Sequence, residues 1–90
     1  MSVTVLIPAV FQNITGYKEK IECSSGTILD IISQLEVAFP GIAEKLVEHG
    51  NIKKFINIYI NDKDIRFLSR QNTVAKDGDL IMIIPAVSEG

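Results

Sequence analysis

The sequence predicts a small α+β domain in which one sheet packs against a long helix. Alternating or β-branched stretches near the N-terminus predict two strands, Val3 to Pro8 and Tyr17 to Cys23. Apolar residues spaced by three and four after Thr27 predict an amphipathic helix. Leu80 to Ile84 is apolar at every position, which favours a central strand. Together these segments supply a sheet and the helix that covers it.

The two N-terminal strands are joined by a loop from Phe11 to Gly16, where Gly16 supplies backbone freedom. Polar and apolar side chains alternate from Tyr17 to Cys23, which is the pattern of a half-buried strand. Because the connection is short, we expect this strand to pair antiparallel with the first.

The helical region begins at Gly26-Thr27. Thr27 can cap the helix, and Asp30 favours its positive N-terminal end. The stripe that faces the core consists of Ile28, Ile31, Ile32, Leu35 and Phe39. Pro40-Gly41 ends this helix, and we expect a second, shorter helix from Ile42 to His49.

Ile56 to Ile60 is the clearest strand of the sequence, because its three isoleucines all face one way. We expect Asn61 to Asp64 to form a turn and Ile65 to Phe67 to return as a short strand. Ser69 to Ala75 is interpreted as an irregular loop or a single helical turn, and Lys76 to Asp79 as a turn into the last strand. One face of the sheet packs against the helix. Apolar side chains on the other face are therefore expected to contact solvent or a partner.

The composition favours a single folded domain without a nucleic-acid or membrane partner. Of the 90 residues, 47% are hydrophobic and 22% are charged, as in an ordinary globular domain. The net charge of −2 and scattered basic residues argue against nucleic-acid binding. There is no apolar run of about 18 residues and no signal-peptide pattern. The one cysteine, Cys23, cannot form an internal disulfide, and we expect a cytoplasmic protein.

The C-terminal stretch from Leu80 to Gly90 is the most informative part of the chain. An apolar strand runs to Pro85, and five small or polar residues follow it, the last being Gly90. A core strand that projects a short, glycine-ended arm can present a carboxylate to the active site of another protein. We therefore expect an ordered domain over residues 1–85 and a flexible tail over residues 86–90.

Four segments carry a family resemblance: Phe55 to Asp62, Asp64 to Phe67, Lys76 to Asp79 and Ile84 to Val87. With them, nearly all of the chain resembles the MoaD/ThiS family of ubiquitin-like sulfur carriers. Ile7-Pro8 and Thr15-Gly16, with Tyr59 to Asp62 and Ile65 to Phe67, are more similar to the branch that carries sulfur for cysteine synthesis. The resemblance implies a β-grasp (ubiquitin-like) fold, in which a mixed four- to five-stranded sheet packs on one main helix plus a short helix.

The resemblance also implies a carrier rather than an enzyme, with no catalytic residue, metal or cofactor of its own. In such families an E1-like, ATP-dependent enzyme adenylates the C-terminal glycine carboxylate, and sulfur then replaces the adenylate to give a thiocarboxylate. Gly90 is the residue that matches this position. The threading arm would be Pro85, Ala86, Val87, Ser88 and Glu89. Partner docking is expected on the outer sheet face at Phe55, Tyr59, Leu80, Met82 and Ile84.

The implied partners are the activating enzyme and a client enzyme that accepts sulfide. The client would be a pyridoxal-phosphate enzyme of the cysteine-synthase type, or the large subunit of molybdopterin synthase. A metalloprotease that trims a longer precursor is a further candidate partner. Two other functions stay open: the small subunit of a molybdopterin synthase, and a ubiquitin-like interaction or modifier domain that carries no sulfur.

The tail departs from the family pattern at one position. The pattern ends in two glycines, whereas this chain ends Ser88-Glu89-Gly90. The negative charge of Glu89 would approach the triphosphate of ATP, where like charges repel. Three explanations fit: a co-adapted activating enzyme, an altered chain end, or a homologue retained for docking alone.

Other residues have a structural explanation beside a functional one. Cys23 could accept a persulfide, but its inward phase on a strand favours a small buried hydrophobic residue. His49 has no second histidine or carboxylate cluster near it in sequence, which favours a solvated ring or a cation at a helix end. Asp62, Asp64, Asp77 and Asp79 fit turns better than a calcium loop. For Phe55 and Tyr59, cross-strand packing and partner docking are equally good explanations.

Overall fold

A five-stranded mixed sheet and one long helix dominate the computed structural model, which describes residues 2–86. The strands are β1 (Val3–Leu6), β2 (Lys20–Cys23), β3 (Gly26–Thr27), β4 (Val47–Glu48), β5 (Asn51–Ile52), β6 (Ile56–Ile60), β7 (Lys63–Asp64), β8 (Val74–Ala75) and β9 (Leu80–Pro85). The helices are α1 (Ile28–Ala38) and α2 (Ile42–Leu46), with short 3-10 turns at Ala9–Phe11, Ile65–Phe67 and Arg70–Asn72.

β9 lies at the centre of the sheet, whose strand order is β2-β1-β9-β6-β7. It runs parallel to β1 and antiparallel to β6, and the remaining neighbours are antiparallel. Ile81 and Ile83 point into the core, whereas Leu80 and Ile84 on the same strand are exposed. The prediction of a central strand from the apolar run is therefore confirmed, and its second apolar face is left uncovered.

The long helix α1 begins where the sequence predicts. Thr27 accepts a hydrogen bond from the Asp30 amide at 3.1 Å, and the Asp30 carboxylate accepts one from the Thr27 amide at 3.0 Å. This reciprocal capping box satisfies two amides that have no partner inside the helix. The buried face of α1 consists of Ile28, Ile31, Ile32 and Leu35. They pack with the inner face of the sheet to form the core.

The second helix is shorter than the predicted Ile42 to His49. It ends at Leu46, and Val47–Glu48 instead pairs antiparallel with Asn51–Ile52. His49 and Gly50 form the loop between them, with φ of 54° and 81°. That left-handed pair closes a two-residue hairpin loop, which a continuing helix would not allow. The expected helix-end position of His49 is thus wrong, and its side chain is 88% exposed.

The α1–α2 connection is fixed by a carboxylate. Glu36 accepts hydrogen bonds from the amide of Gly41 at 3.1 Å and from the amide of Ala43 at 2.9 Å. These bonds lower the pKa of Glu36 below its ordinary value, and the bond from Ala43 has the larger effect, followed by the bond from Gly41. The ionised carboxylate therefore supports the first turn of α2, where amides lack helical partners.

We expect the Glu36 contribution to depend on pH. Because its pKa is lower in the folded state than in the unfolded state, its stabilisation is present above the unfolded-state pKa and is lost as pH falls through the folded-state pKa. Glu36→Gln should therefore be less stable than wild type near neutral pH and approach it in acid. Urea unfolding across this pH range measures the effect, with Glu19→Gln as the control. A difference for Glu36→Gln that stays constant across the range would contradict the assignment.

Two predicted strands differ from the structure. Ile65 to Phe67 is a 3-10 turn rather than a return strand, because the Asp64 carboxylate accepts the Arg66 amide at 2.8 Å and Ile65 turns into the core. The short return strand is Lys63–Asp64, reached through a two-residue loop at Asn61 and Asp62.

The strand predicted from Tyr17 to Cys23 begins only at Lys20. Gly16 and Tyr17 both have φ of 66°, so this part of the alternation lies in a left-handed turn, where Tyr17 is 74% exposed. The buried hydroxyl of Thr15 donates to the carbonyl of Lys18 at 2.9 Å and holds this turn together. Local turn bonds therefore prevail over the alternating pattern in this segment.

The segment before β9 combines a helical turn and a strand. Ser69 to Ala75 contains the 3-10 turn Arg70–Asn72, as the sequence predicts, followed by β8. β8 pairs antiparallel with β3, a small sheet that the sequence analysis missed.

Candidate functional site

The outer face of the sheet carries the predicted docking residues. Leu80 and Ile84 of β9 are 36% and 39% exposed, and Met82 between them is half-buried. In the neighbouring strand β6, Tyr59 lies opposite Met82 and Asn57 lies opposite Ile84. The structure thus brings Tyr59, Leu80, Met82 and Ile84 onto one surface, opposite the face that packs on α1. We call this surface the outer face.

β1 adds a residue to the outer face that the sequence analysis missed. Leu6 lies beside Met82 in the parallel β1–β9 pairing and is half-buried. The alternation of β1 could have predicted this position of Leu6, because Val5 is buried and its neighbours Thr4 and Leu6 point to the opposite face. Thr4, beside Leu80, donates to the Glu22 carboxylate at 2.9 Å. This polar bond closes the apolar surface toward β2.

Asn61 holds the start of β9 in place. Its side-chain oxygen accepts the Leu80 amide at 2.9 Å, and its side-chain nitrogen donates to the Asp79 carboxylate at 2.8 Å. Asp79 also accepts a hydrogen bond from the Lys76 amide at 2.8 Å. This bond is the largest cause of the lowered pKa of Asp79, and the bond from Asn61 is the second. Leu80 is therefore fixed on the outer face by side-chain bonds rather than by ladder pairing alone.

A charged pair borders the outer face beyond Tyr59. Asp64, opposite Tyr59, accepts a hydrogen bond from the Arg66 guanidinium at 2.9 Å. This side-chain bond is the largest cause of the lowered pKa of Asp64. The pair interrupts the apolar surface without ending it, because exposed Phe67 and Leu68 line a hollow next to Tyr59.

The C-terminal arm leaves the sheet at the far end of β9. Pro85 lies opposite Ile56, and the Ala86 amide donates to the Phe55 carbonyl at 2.6 Å. Phe55 is 64% exposed next to this point. The arm's first two residues, Pro85 and Ala86, therefore continue the ladder with β6. Val87, Ser88, Glu89 and Gly90 lie outside the described residues.

Another candidate residue, Cys23, lies away from this surface. Cys23 is 6% exposed in the core. Burial is the larger cause of the raised pKa of its thiol, and the negative charge of Glu22 raises that pKa further. A protonated, buried thiol is a poor nucleophile, which agrees with its prediction as a core residue. Among residues 2–86 there is no group of three or more His, Cys, Asp or Glu side chains that could hold a metal ion.

Neither α1 nor α2 is long enough to cross a bilayer, and this holds for the part of the chain that the structure describes.

Comparison with known proteins decides the family. The ThiS family profile matches residues 5–90. The chain belongs to the ThiS family. The sulfur carrier protein CysO of Mycobacterium tuberculosis is 40% identical over 93 residues, with all of both chains covered. The small archaeal modifier protein 3 of Haloferax volcanii is 28% identical over 85 residues, with 91% of each chain covered.

Solved structures agree with this assignment. The chain is similar to one in the crystal structure of the BexX/CysO complex of Amycolatopsis orientalis, with a TM-score of 0.93 and 40% identity. The match covers 98% of this chain and 99% of that one. The predicted β-grasp fold and the predicted family of ubiquitin-like sulfur carriers are thus both confirmed. Proteins of this family are small carriers rather than catalysts.

Proposed function

We propose that the C-terminal carboxylate of Gly90 carries sulfur. An E1-like activating enzyme adenylates it with release of pyrophosphate, and a sulfide-level donor then displaces AMP to give a thiocarboxylate. The client enzyme receives the sulfide as water cleaves the carbon–sulfur bond and restores the Gly90 carboxylate. The observation that carries the proposal is that the central strand of a ThiS-family domain ends at Pro85, five residues before Gly90. The chain itself supplies reach and a docking surface, and the partner enzymes supply the catalysis.

The chemistry needs activation before sulfur can enter. A carboxylate is a poor electrophile, whereas an acyl adenylate has a phosphate leaving group that sulfur can displace. The carbon–oxygen bond to phosphate breaks as the carbon–sulfur bond forms, and AMP leaves. A tethered thiocarboxylate then reaches its acceptor at high effective concentration without release of free sulfide. Gly90 suits the reacting position because it has no Cβ to crowd the carbonyl carbon.

The attachment of Ala86 sets the reach of the arm. Five residues beyond Pro85 would extend about 17 Å at roughly 3.3–3.6 Å per residue. The hydrogen bond between the Ala86 amide and the Phe55 carbonyl removes one of them from the free length. If that bond persists in complexes, the four remaining residues reach about 14 Å. This length suffices for the tip to enter a buried active site while the outer face docks outside.

We propose a client of the cysteine-synthase type. The support is the resemblance of the chain to proteins named as the sulfur carrier CysO, at 40% identity over the full length. Cytoplasmic location and trimming by a metalloprotease are parts of the same proposal. So is the division into a domain over residues 1–85 and a tail over residues 86–90, whose first residue, Ala86, is bonded to Phe55. Stable association with a pyridoxal-phosphate enzyme would support this client, and association with a pterin-binding large subunit would refute it.

The outer face is the proposed docking surface for the activating and client enzymes. A charge placed on its apolar surface would be desolvated without a partner on docking. We therefore expect Ile84→Glu to weaken binding of the activating enzyme by at least about tenfold, equivalent to about 1.4 kcal/mol, with little effect on stability because Ile84 is 39% exposed. Calorimetric titration measures the change.

The matched control for docking is Val37→Glu. Val37 is 85% exposed on α1, which packs on the opposite face of the sheet. The control introduces the same side chain and charge, so binding should stay at the wild-type level. Equal losses in the two variants would contradict docking through the outer face.

The experiment that tests the function is intact-mass analysis after incubation with the activating enzyme, ATP and a sulfur source. The proposal predicts the mass gain of one oxygen-to-sulfur exchange. No gain, with an activating enzyme proven active on another carrier, would refute it.

A second candidate function is protein modification. The specific support is the similarity to the small archaeal modifier protein 3 of Haloferax volcanii. In that case the activated Gly90 carboxyl would form an isopeptide bond with a lysine amine of another protein. Adducts on partner lysines that persist after thiol treatment would favour this function.

A further inference from the structure

A pocket of about 240 Å³ lies on the side of β6 away from the outer face. Its floor is apolar and consists of Ile52, Ile56, Ile58 and Ile65. Its rim carries four cations, Lys53, Lys54, Arg66 and Arg70. We call this site the basic pocket. It shares the Asp64–Arg66 pair with the border of the outer face and contains no residue of the C-terminal arm.

The charge of the basic pocket is opposite to that of the whole protein. The chain has nine Lys and Arg residues and a net charge of −2, yet four of the nine line this one pocket. The acidic residue in its lining is Asp64, which is already paired with Arg66 at 2.9 Å. Arg70 also lies near enough to lower the pKa of Asp64, after the larger effect of Arg66. Four cations against one carboxylate still leave a net positive rim that attracts an anionic partner.

The wall of the basic pocket is held in a fixed shape. The Gln71 side chain donates to the Asn51 side chain at 2.7 Å and ties the 3-10 turn to β5. Arg70 has φ of 51°, a left-handed conformation that costs roughly 1–2 kcal/mol in a non-glycine residue. Glycine would fit this backbone without that cost. The arginine side chain is therefore present at a position where the backbone favours glycine.

The size and chemistry of the pocket point to one kind of occupant. Its volume is below the roughly 300–1,000 Å³ of small-molecule sites, so it suits a single side chain better than a nucleotide. The isoleucine floor fits an apolar side chain, and the cationic rim fits carboxylates on either side of it.

The pocket also lies next to the root of the arm. Lys54 on its rim precedes Phe55, whose carbonyl binds the Ala86 amide. A protein that binds the chain at Ala86 is therefore close to the rim of this pocket.

We infer that the basic pocket binds an acidic segment of a partner protein, with one apolar side chain of that segment inserted onto the isoleucine floor. The inference rests on the proposed function, since the partner is an enzyme that receives the arm. The outer face and the basic pocket then lie on opposite sides of β6, so one partner would hold the sheet edge between two contacts and fix the direction of the arm.

The test uses the full chain and a defined probe. A short capped peptide with a phenylalanine flanked by glutamates is titrated into the ¹⁵N-labelled protein and followed by NMR. We expect saturable shifts of amides around the pocket, at Ile52, Lys54, Ile56, Arg66 and Arg70. Binding should weaken as salt rises, because the contacts are charged and partly exposed.

Two variants separate binding from folding. Lys54→Glu reverses a rim charge and should lower the affinity for the peptide by about fivefold or more, which corresponds to the loss of about one exposed ion pair. Arg70→Gly should weaken peptide binding by a similar factor. The melting temperature of this variant should be equal to or above that of the wild-type protein, because glycine adopts the left-handed backbone without strain. Lys18→Glu, an exposed change outside the pocket, should leave peptide affinity close to that of wild type.

Each other result would overturn the inference. These results are shifts confined to the outer face, equal binding of a lysine-flanked peptide, loss of affinity in Lys18→Glu equal to that in Lys54→Glu, and the same shifts with inorganic phosphate alone. The last would identify a small-anion site. Thiocarboxylate formation, measured by mass on the same variants, reports on the proposed function separately. Failure of peptide binding with normal sulfur loading would refute the pocket inference and leave the function standing.

Discussion

Deletion of Gly90 is expected to abolish thiocarboxylate formation. The deletion shortens the arm by about 3.5 Å and leaves Glu89 at the chain end. A Cβ and a negative side chain would then crowd the reacting carbon and repel the phosphates of ATP. Intact-mass analysis after activation measures the loss, which we expect to be complete within detection. Because β9 ends at Pro85, five residues earlier, we expect stability to be unaffected.

Two further variants show which property of the end matters. Gly90→Ala keeps the length and the carboxylate but adds a Cβ, and we expect slower loading. Glu89→Gly restores the paired glycines of the family pattern and removes the negative charge, so it should load at least as fast as wild type. Sulfur loading that survives deletion of Gly90 would contradict the account.

Ile81→Ala is expected to lower the free energy of unfolding by about 2–5 kcal/mol. Ile81 is 2% exposed at the centre of the sheet, between Val5 of β1 and Ile60 of β6. Truncation removes buried methyl groups and leaves a cavity that the paired strands cannot close. Urea denaturation measures the change.

The control is the adjacent residue of the same strand. Leu80 points to the outer face and is 36% exposed, so Leu80→Ala should cost less than about 1 kcal/mol. The same variant should weaken partner docking, because it removes apolar surface from the outer face. Similar losses of stability in the two variants would contradict the assignment of the two faces of β9.

The elements predicted correctly are those in which a repeating pattern agrees with local chemistry. The α1 stripe, with a capping pair at Thr27 and Asp30, predicts both the position and the buried face of the helix. The apolar run of β9 predicts a central strand for the same reason, since only a strand paired on both sides places it in a sheet core. The outer face then follows from the period of two.

The errors fall where short-range bonds replace the pattern. Asp64 caps a 3-10 turn, so Ile65 enters the core without a strand. His49 and Gly50 adopt left-handed conformations, so the apolar spacing before them does not continue the second helix. Neither bond pattern has a periodic signal in the sequence.

The basic pocket is another feature that the sequence analysis did not reveal. Lys53-Lys54 is the only adjacent pair of basic residues in the sequence. Arg66 and Arg70 are distant from it in sequence and lie beside it only in the folded structure. The 3-10 turns and the bond between Gln71 and Asn51 bring these distant segments together. The docking residues of the outer face are different, because their common face is set by the strand period alone.

The most direct test of sulfur transport on Gly90 is fragmentation mass spectrometry of the activated protein. The account predicts that the added sulfur appears on the C-terminal fragment that contains Gly90 and is absent from the fragment that contains Cys23, whose thiol is buried. Transfer to the client should remove this sulfur from the C-terminal fragment. Sulfur found on Cys23 as a persulfide, with an unmodified Gly90 carboxylate, would contradict the account.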